Sequence, residues 1–280
     1  MTKQSNQNLL LRFYGLRRSG NHTISGWLRK NLPYNDLTID KLHNDVWAPD
    51  YQVPRIIPPQ EMQVEAPNGE SSMLIVSYED VPIPHIPYVS IRQDDAVLCD
   101  ARIRDVIVIR DPFNMAASRL ESKRKYGEND AVSRVPLVVA MHRWKDYAKE
   151  FIRIRDGHSS IFRDPVIINY CDWKLHKSTR DTLLKDYFGV DENFDLGLDD
   201  VSPEGHGSTR DGMNYQGRGS QMKTNERWKY FAYDPEYRKI FRDMEIVELS
   251  NRIFGQIPGT ELLWNNYLDL EGAHRNAERI

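Results

Sequence analysis

The chain has 280 residues, a formal net charge of −3 and 40% hydrophobic residues, enough to bury a sizeable core without disulfide or metal staples. The near-neutral balance gives no electrostatic case for a nucleic-acid partner, and no apolar stretch reaches the length of a membrane span. The only cysteines, Cys99 and Cys171, lie far apart, so no disulfide framework or paired-cysteine metal motif is visible and a reducing, cytoplasmic location is expected.

The polar start, Met1 to Asn8, enters a short apolar run that Arg12 breaks at once, too short for the apolar region of a signal peptide. Leu9–Leu16 is the first predicted strand. A helix follows, with Ile24, Trp27, Leu28 and Leu32 as its apolar stripe. Proline-rich stretches at 46–69 and 82–87 read as irregular loops, and Met73–Tyr78 between them reads as a strand. The run Val106–Ile109 is a third strand, followed by a helix with Phe113, Ala116, Ala117 and Leu120 on one face. Val138, Met141, Trp144, Ala148 and Phe151 mark a longer helix, and Val166–Tyr170 a fourth strand. The polar, glycine-rich segment 199–220 reads as a loop covering a ligand site. Strands alternating with helices predict one α/β domain over 1–280, with a parallel sheet flanked by helices on both faces. Ligands in such folds bind beyond the carboxyl ends of the strands.

The first strand runs directly into Arg17-Arg18-Ser19-Gly20-Asn21-His22 and then into a helix. Free N–H groups at a helix start and the helix dipole favour an anion. Gly20 allows close backbone approach, Ser19, Asn21 and His22 add side-chain donors, and the arginines add charge. The bland reading is an ordinary strand–helix turn with a Ser or Asn cap and two solvated arginines. A Walker A loop requires Gly-Lys-Ser/Thr, which is missing, so an ATP- or GTP-dependent motor or kinase is disfavoured. The strand at 106–109 ends in Arg110-Asp111-Pro112. Asp111 is placed to cap the next helix, with Pro112 at its first position, and Ser118 follows about two turns into it.

Gly-Leu-Arg-Arg-Ser-Gly-Asn-His resembles the 5′-phosphosulfate loop of sulfotransferases that use phosphoadenosine phosphosulfate (PAPS), whose commonest form is Pro-Lys-Ser-Gly-Thr-Thr-Trp. Arg18 then stands for the lysine, Asn21 and His22 for the threonines, and Thr23 for the tryptophan that often stacks on adenine; the Arg-Arg version is similar to a bacterial branch. The spacing from Arg110 to Ser118 resembles the family's grip on the 3′-phosphate. Tyr170, in Asn169-Tyr170-Cys171-Asp172, resembles the tyrosine near adenine. Ser208, Thr209, Arg210 and Met213 resemble the adenine loop, with Arg210 replacing a phenylalanine. Arg218 and Gly219 resemble a late Arg-Lys-Gly loop that closes over the 3′-phosphate, and Arg227-Trp228-Lys229 a Trp-Lys element downstream. The likeness spans residues 9 to 231.

The resemblance implies a P-loop-like sulfotransferase fold, PAPS as co-substrate with phosphoadenosine phosphate (PAP) as product, and no metal. Arg17, Arg18, Ser19, Gly20, Asn21, His22 and Thr23 would surround the 5′ end. Arg18 would neutralise the leaving oxygen, with His22 assisting. Glu79 is the first candidate for general base, then Asp80, His85 and His43. Asp45, Trp47, Asp50, Tyr51, Tyr88, Asp94 and Asp95 near the expected mouth would suit a cationic small molecule, such as a guanidinium alkaloid among natural products. A small-molecule kinase using ATP, a non-catalytic module that binds PAP, and a purely structural α/β protein are the alternatives. Oligomeric state is not read from the sequence.

Overall fold

The computed structural model describes residues 9–33, 35–36, 72–87, 102–127, 132, 135–191, 195–201 and 210–265. Among the described residues five parallel strands form the sheet: β1 (Leu9–Gly15), β2 (Asn35–Asp36), β3 (Ser72–Glu79), β4 (Arg102–Ile109) and β5 (Val166–Asn169), in the order β2-β3-β1-β4-β5. Period-two alternation sorts β1 between two cores. Leu10 and Tyr14 face one apolar cluster, while Leu9, Leu11 and Phe13 face the other. The helices divide accordingly. The first cluster takes α2 (Pro112–Tyr126), α3 (Leu137–Arg155), α6 (Pro235–Ile240) and α7 (Met244–Phe254). The second takes α1 (Asn21–Asn31), α4 (Tyr170–Leu175) and α5 (Lys177–Phe188). The α/β architecture with both sheet faces covered is the one the alternating pattern predicts.

Differences from the sequence reading have physical causes. The strand read as Val106–Ile109 begins at Arg102, because the charged Arg104 and Asp105 are buried by pairing. Asp105 lies opposite Arg12 in the β1–β4 register and takes a two-pronged bond from it, at 2.6 and 2.9 Å. Arg104 pairs with Asp164 at 2.6 Å and lies over the rings of Tyr187 and Phe188. Val138 is exposed: it lies roughly 120° around α3 from the centre of the buried stripe of Ala140, Trp144, Tyr147, Ala148 and Phe151. The fourth strand ends at Asn169, whose side chain caps α4 by accepting from the amides of Cys171 and Asp172, so Tyr170 opens a helix. A short 3-10 turn at Ile83–His85 interrupts the expected loop at 82–87, and β2 carried no sequence signal. The stretch 46–69 lies outside the described residues.

The segment 199–220, expected to cover a ligand site, is described at its two ends. Asp199 joins them: its carbonyl accepts from the Gly219 amide at 2.9 Å and its carboxylate from the Ser220 amide at 3.0 Å. A 3-10 segment, Thr224–Phe231, then lies along α2. Among the described residues no helix is long and apolar enough to cross a membrane.

Candidate anion site at the strand ends

The turn after β1 is held from below before any ligand is considered. The amide of Ser19 donates to the carbonyl of Leu16 at 3.1 Å, closing the turn. The amide of Arg17 donates to the Asp80 carboxylate at 3.1 Å. Asp80 is fully buried and is gripped by Arg119 of α2 through two bonds, at 2.9 and 3.1 Å. Burial pushes the Asp80 carboxyl up, but Arg119 and then Arg17 outweigh it, and the net displacement is downward. Arg143 of α3 donates to the Asp80 carbonyl at 2.7 Å, and the Tyr147 hydroxyl to the Val81 carbonyl at 2.9 Å. Asp80 thus ties the loop after β1 to the end of β3, and both its oxygens are engaged inside the protein.

Arg18 and Gly20 both have positive φ, 74° and 96°. The first is uncommon for a residue with a Cβ and marks a position where the surroundings impose the conformation. It turns the Arg18 side chain across the strand ends, where its Nε donates to Ser118 Oγ at 3.0 Å. Gly20 has no alternative, since a Cβ there would come within 2.3 Å of the Tyr170 ring.

On the β4 side, Asp111 caps α2 by accepting from the Asn114 amide at 2.8 Å, with Pro112 at the first helical position. Such a cap stabilises by about 1 kcal/mol. It fixes the direction in which Arg110 leaves the strand. The Arg110 carbonyl accepts from Trp144 Nε1 at 2.9 Å. Its guanidinium donates to the Arg18 carbonyl at 2.9 Å and to the Thr224 carbonyl, and lies 5.3 Å from the centre of the Tyr170 ring. Its buried Nε has no hydrogen-bond partner among the described residues.

Asn114 also positions a residue that sequence reasoning left out of the site. Its side-chain oxygen accepts from the Trp228 amide at 3.2 Å and its side-chain nitrogen donates to the Asn225 carbonyl at 3.1 Å. This clips the 3-10 segment to α2 and brings Arg227 to Ser118 Oγ at 2.9 Å. Ser118 therefore receives both Arg18 and Arg227. Lys174 of α4 approaches from the third side, donating to Thr224 Oγ1 at 2.8 Å and to the Met222 carbonyl. Burial, then Arg110 and Arg227, push the Lys174 ammonium down to about 8. Burial, then Arg110 and Arg18, push Arg227 down to about 10. These are the displacements expected of cations gathered around a space suited to an anion. Neither was legible in the sequence: Lys174 follows a tyrosine read as the end of a strand, and Arg227 carried no signal beyond a neighbouring Trp-Lys pair.

Glu79, the last residue of β3, has 17% of its side chain exposed and lies against the other half of the loop. Asn21 Nδ2 donates to it at 2.8 Å, Arg17 Nε is 3.6 Å away and His22 Nε2 3.9 Å. Asn21 thus turns one side-chain donor toward Glu79. Thr23 lies in the first turn of α1. His85 is half-buried in its 3-10 turn. Arg210 stands 3.6 Å from the Tyr230 ring centre and 2.8 Å from Glu121. Arg218 donates to Asn214 of its own turn, and Met213 is exposed. Ser208, Thr209, His43 and the expected acceptor residues Asp45, Trp47, Asp50, Tyr51, Tyr88, Asp94 and Asp95 lie outside the described residues. Among the described residues, no group of three His, Cys, Asp or Glu side chains is arranged to hold a metal ion.

No protein-family model matches the chain, and no curated protein sequence matches it. Among solved structures, a sulfotransferase domain from the curacin biosynthetic pathway aligns with 90% of this chain and 99% of its own, at 12% identity and a TM-score of 0.44. No residue's role follows from that likeness.

Proposed function

We propose that the chain is a sulfotransferase that moves a sulfuryl group from PAPS to a hydroxyl or nitrogen of a small acceptor. The observation that carries this reading is the meeting of two motifs on one hydroxyl. Arg18 of the loop after β1 and the Arg110–Ser118 pair stand about a hundred positions apart in sequence, yet Arg18 Nε lies 3.0 Å from Ser118 Oγ and Arg110 holds the Arg18 carbonyl. That joins the residues which, in the sulfotransferase pattern, serve the two phosphorylated ends of one nucleotide.

In this reading the acceptor oxygen or nitrogen attacks the sulfur in line. The bond from sulfur to the bridging phosphate oxygen breaks, and PAP leaves carrying that oxygen. Little covalent work falls to the protein, so positioning and charge stabilisation dominate. Arg18 faces the charge that develops on the bridging oxygen, and His22 stands beside the same loop as a further donor. Glu79 takes the acceptor's proton, held in place by Asn21. Tyr170 and Arg110 form a stacked wall for the nucleotide. A cationic small molecule, a natural product among them, remains the acceptor class proposed, with the cytoplasm as the setting.

The test is thermal unfolding with and without PAP, with ATP as comparison. A ligand at a hundredfold excess over its dissociation constant stabilises by about 2.7 kcal/mol. Stabilisation by PAP that Arg110→Ala removes is the expected result, and turnover of PAPS with an acceptor panel follows from it. No shift at saturating PAP overturns the reading, and a shift with ATP alone replaces it with a kinase.

A further inference from the structure

Residues 195–201 form a strap that the proposed chemistry does not use. One end is fixed to the helices behind the site. The buried Arg180 of α5 donates to Asp195 through two bonds, at 2.7 and 3.0 Å. The same guanidinium donates to the carbonyls of Trp173 and Lys174 at the end of α4, at 2.6 and 3.2 Å. The middle of the strap is fixed to the last turn of α1, the helix that begins at Asn21 in the loop after β1. Asn31 and Leu196 exchange two bonds, at 2.9 and 3.2 Å, and Lys30 pairs with Asp200.

The far end of the strap holds a different segment. The Asp199 carbonyl accepts from the Gly219 amide at 2.9 Å. Asp199 Oδ1 accepts from both the Ser220 amide, at 3.0 Å, and the Ser220 hydroxyl. These donors, the hydroxyl first, hold the Asp199 carboxyl below its ordinary value. The approach is close enough that a Cβ on Gly219 would stand 3.0 Å from the Asp199 carbonyl oxygen. From this joint the bonds run inward. The Met222 amide donates to the Gly219 carbonyl at 3.2 Å, and the Thr224 amide to the Met222 carbonyl at 2.8 Å. The carbonyls of Met222 and Thr224 are those that receive Lys174 and Arg110.

We propose that Asp199 is a positioning residue: it holds the segment 219–224 on the strap, that segment orients Arg110 and Lys174 at the strand ends, and release of the Asp199 joint sets the rate at which a bound nucleotide leaves. This rests on the nucleotide reading of the site. The strap is pinned behind the joint by the buried Arg180, and the segment is pinned beyond it by buried bonds, from Arg110 to the Thr224 carbonyl and from the Trp228 amide to Asn114. Between these pins Asp199 and its bonds to Ser220 face water. Local opening starts where backbone hydrogen bonds are exposed and apolar contacts are few, so the joint is the place where this wall of the site comes away first.

The experiment compares the full chain as wild type, Asp199→Ala and Asp199→Asn. Amide hydrogen exchange without ligand reads the joint, release of radiolabelled PAP into an excess of unlabelled PAP reads the site, and urea unfolding reads global stability. Both Ser220 donors end on one oxygen, so asparagine keeps an acceptor for them and alanine removes it. In Asp199→Ala the Ser220 and Met222 amides should exchange about tenfold faster, as loss of a hydrogen bond to a charged group implies. PAP should leave faster by a similar factor, with the urea midpoint unchanged. Asp199→Asn should stay within about threefold of wild type in both rates. The proposal is overturned if Asp199→Ala exchanges these amides or releases PAP at the wild-type rate, or if Asp199→Asn is as fast as the alanine variant. It is also overturned if the urea midpoint falls and amides throughout the sheet speed up together, which marks a global structural role. A wild type that does not bind PAP refutes the nucleotide reading itself, while the exchange rates, read without ligand, still decide whether Asp199 holds the segment.

Discussion

The ring of Tyr170 occupies the space that a side chain on residue 20 would need: a Cβ built on Gly20 falls 2.3 Å from two of its ring carbons. The loop after β1 and the start of α4 are therefore fitted to each other through a missing side chain. The same ring backs the Arg110 guanidinium. Gly20→Ala must move the ring and also adopt a left-handed backbone. The two costs, about 1–2 kcal/mol for the backbone and about 1–3 kcal/mol for overpacking, add to a destabilisation of a few kcal/mol. Urea unfolding reads this directly, and PAP binding should weaken with it. An unchanged unfolding midpoint would contradict the fit.

Glu79 and Asp80 are adjacent carboxylates in different surroundings, and the proposed reading makes Glu79 the base. Glu79→Gln keeps an acceptor for Asn21 and removes the capacity to take a proton. Turnover with PAPS should fall by roughly 10²–10⁴ while PAP affinity changes little. Turnover within a few-fold of wild type would remove Glu79 from the role of base.

Asp80→Asn leaves Arg119 buried without its counter-charge, which costs about 3–5 kcal/mol. The pH dependence has a definite sign. The Asp80 carboxyl lies below its ordinary value of 3.8, so its contribution is complete above that value and is lost as pH falls through the lower value of the folded protein. The wild type should unfold in acid over a range that the variant, already destabilised, does not share. An equal acid midpoint for both proteins would contradict this assignment.

Lys174 works in the opposite direction in the ligand-free protein. Its folded value, about 8, lies below the ordinary 10.5, so the unfolded chain binds more protons across that interval and stability rises with pH. The slope from this residue is at most about 1.4 kcal/mol per pH unit. Above pH 9 the buried Cys171 thiol, which keeps its proton in the fold, offsets the gain. The interval from pH 8 to 9 is therefore the one to measure. Denaturant titrations should show wild type gaining stability relative to Lys174→Met across it. A constant difference would mean that Lys174 is not held down in the folded state.

The parts of this architecture legible in the sequence are those where local pattern and burial agree. Apolar runs located β1, β3 and the second half of β4, and the Asp111-Pro112 signal located the start of α2. The first half of β4 was hidden because Arg104 and Asp105 are buried through partners far away in sequence, which composition does not show. The loop from Arg17 to His22 could be read as anion-binding because strand, glycine and helix are contiguous. Lys174 and Arg227 could not, since their meeting at Ser118 and Thr224 depends on how α4 and the 3-10 segment dock. Arg210 lies over Tyr230, a contact that no spacing in the sequence announces.

The Asn114 clip has a consequence for how the molecule comes into being. A ribosome releases the strands before the segment that Asn114 holds, and domains made in this direction acquire structure from the front. A chain that has emerged only through β5 carries Arg18, Arg110 and Ser118 but lacks Thr224 and Arg227, which the clip must bring to them. The cluster around Ser118 is therefore completed by a segment made after every strand of the described sheet, and in the proposed reading a nucleotide offered to the growing polypeptide meets half a site.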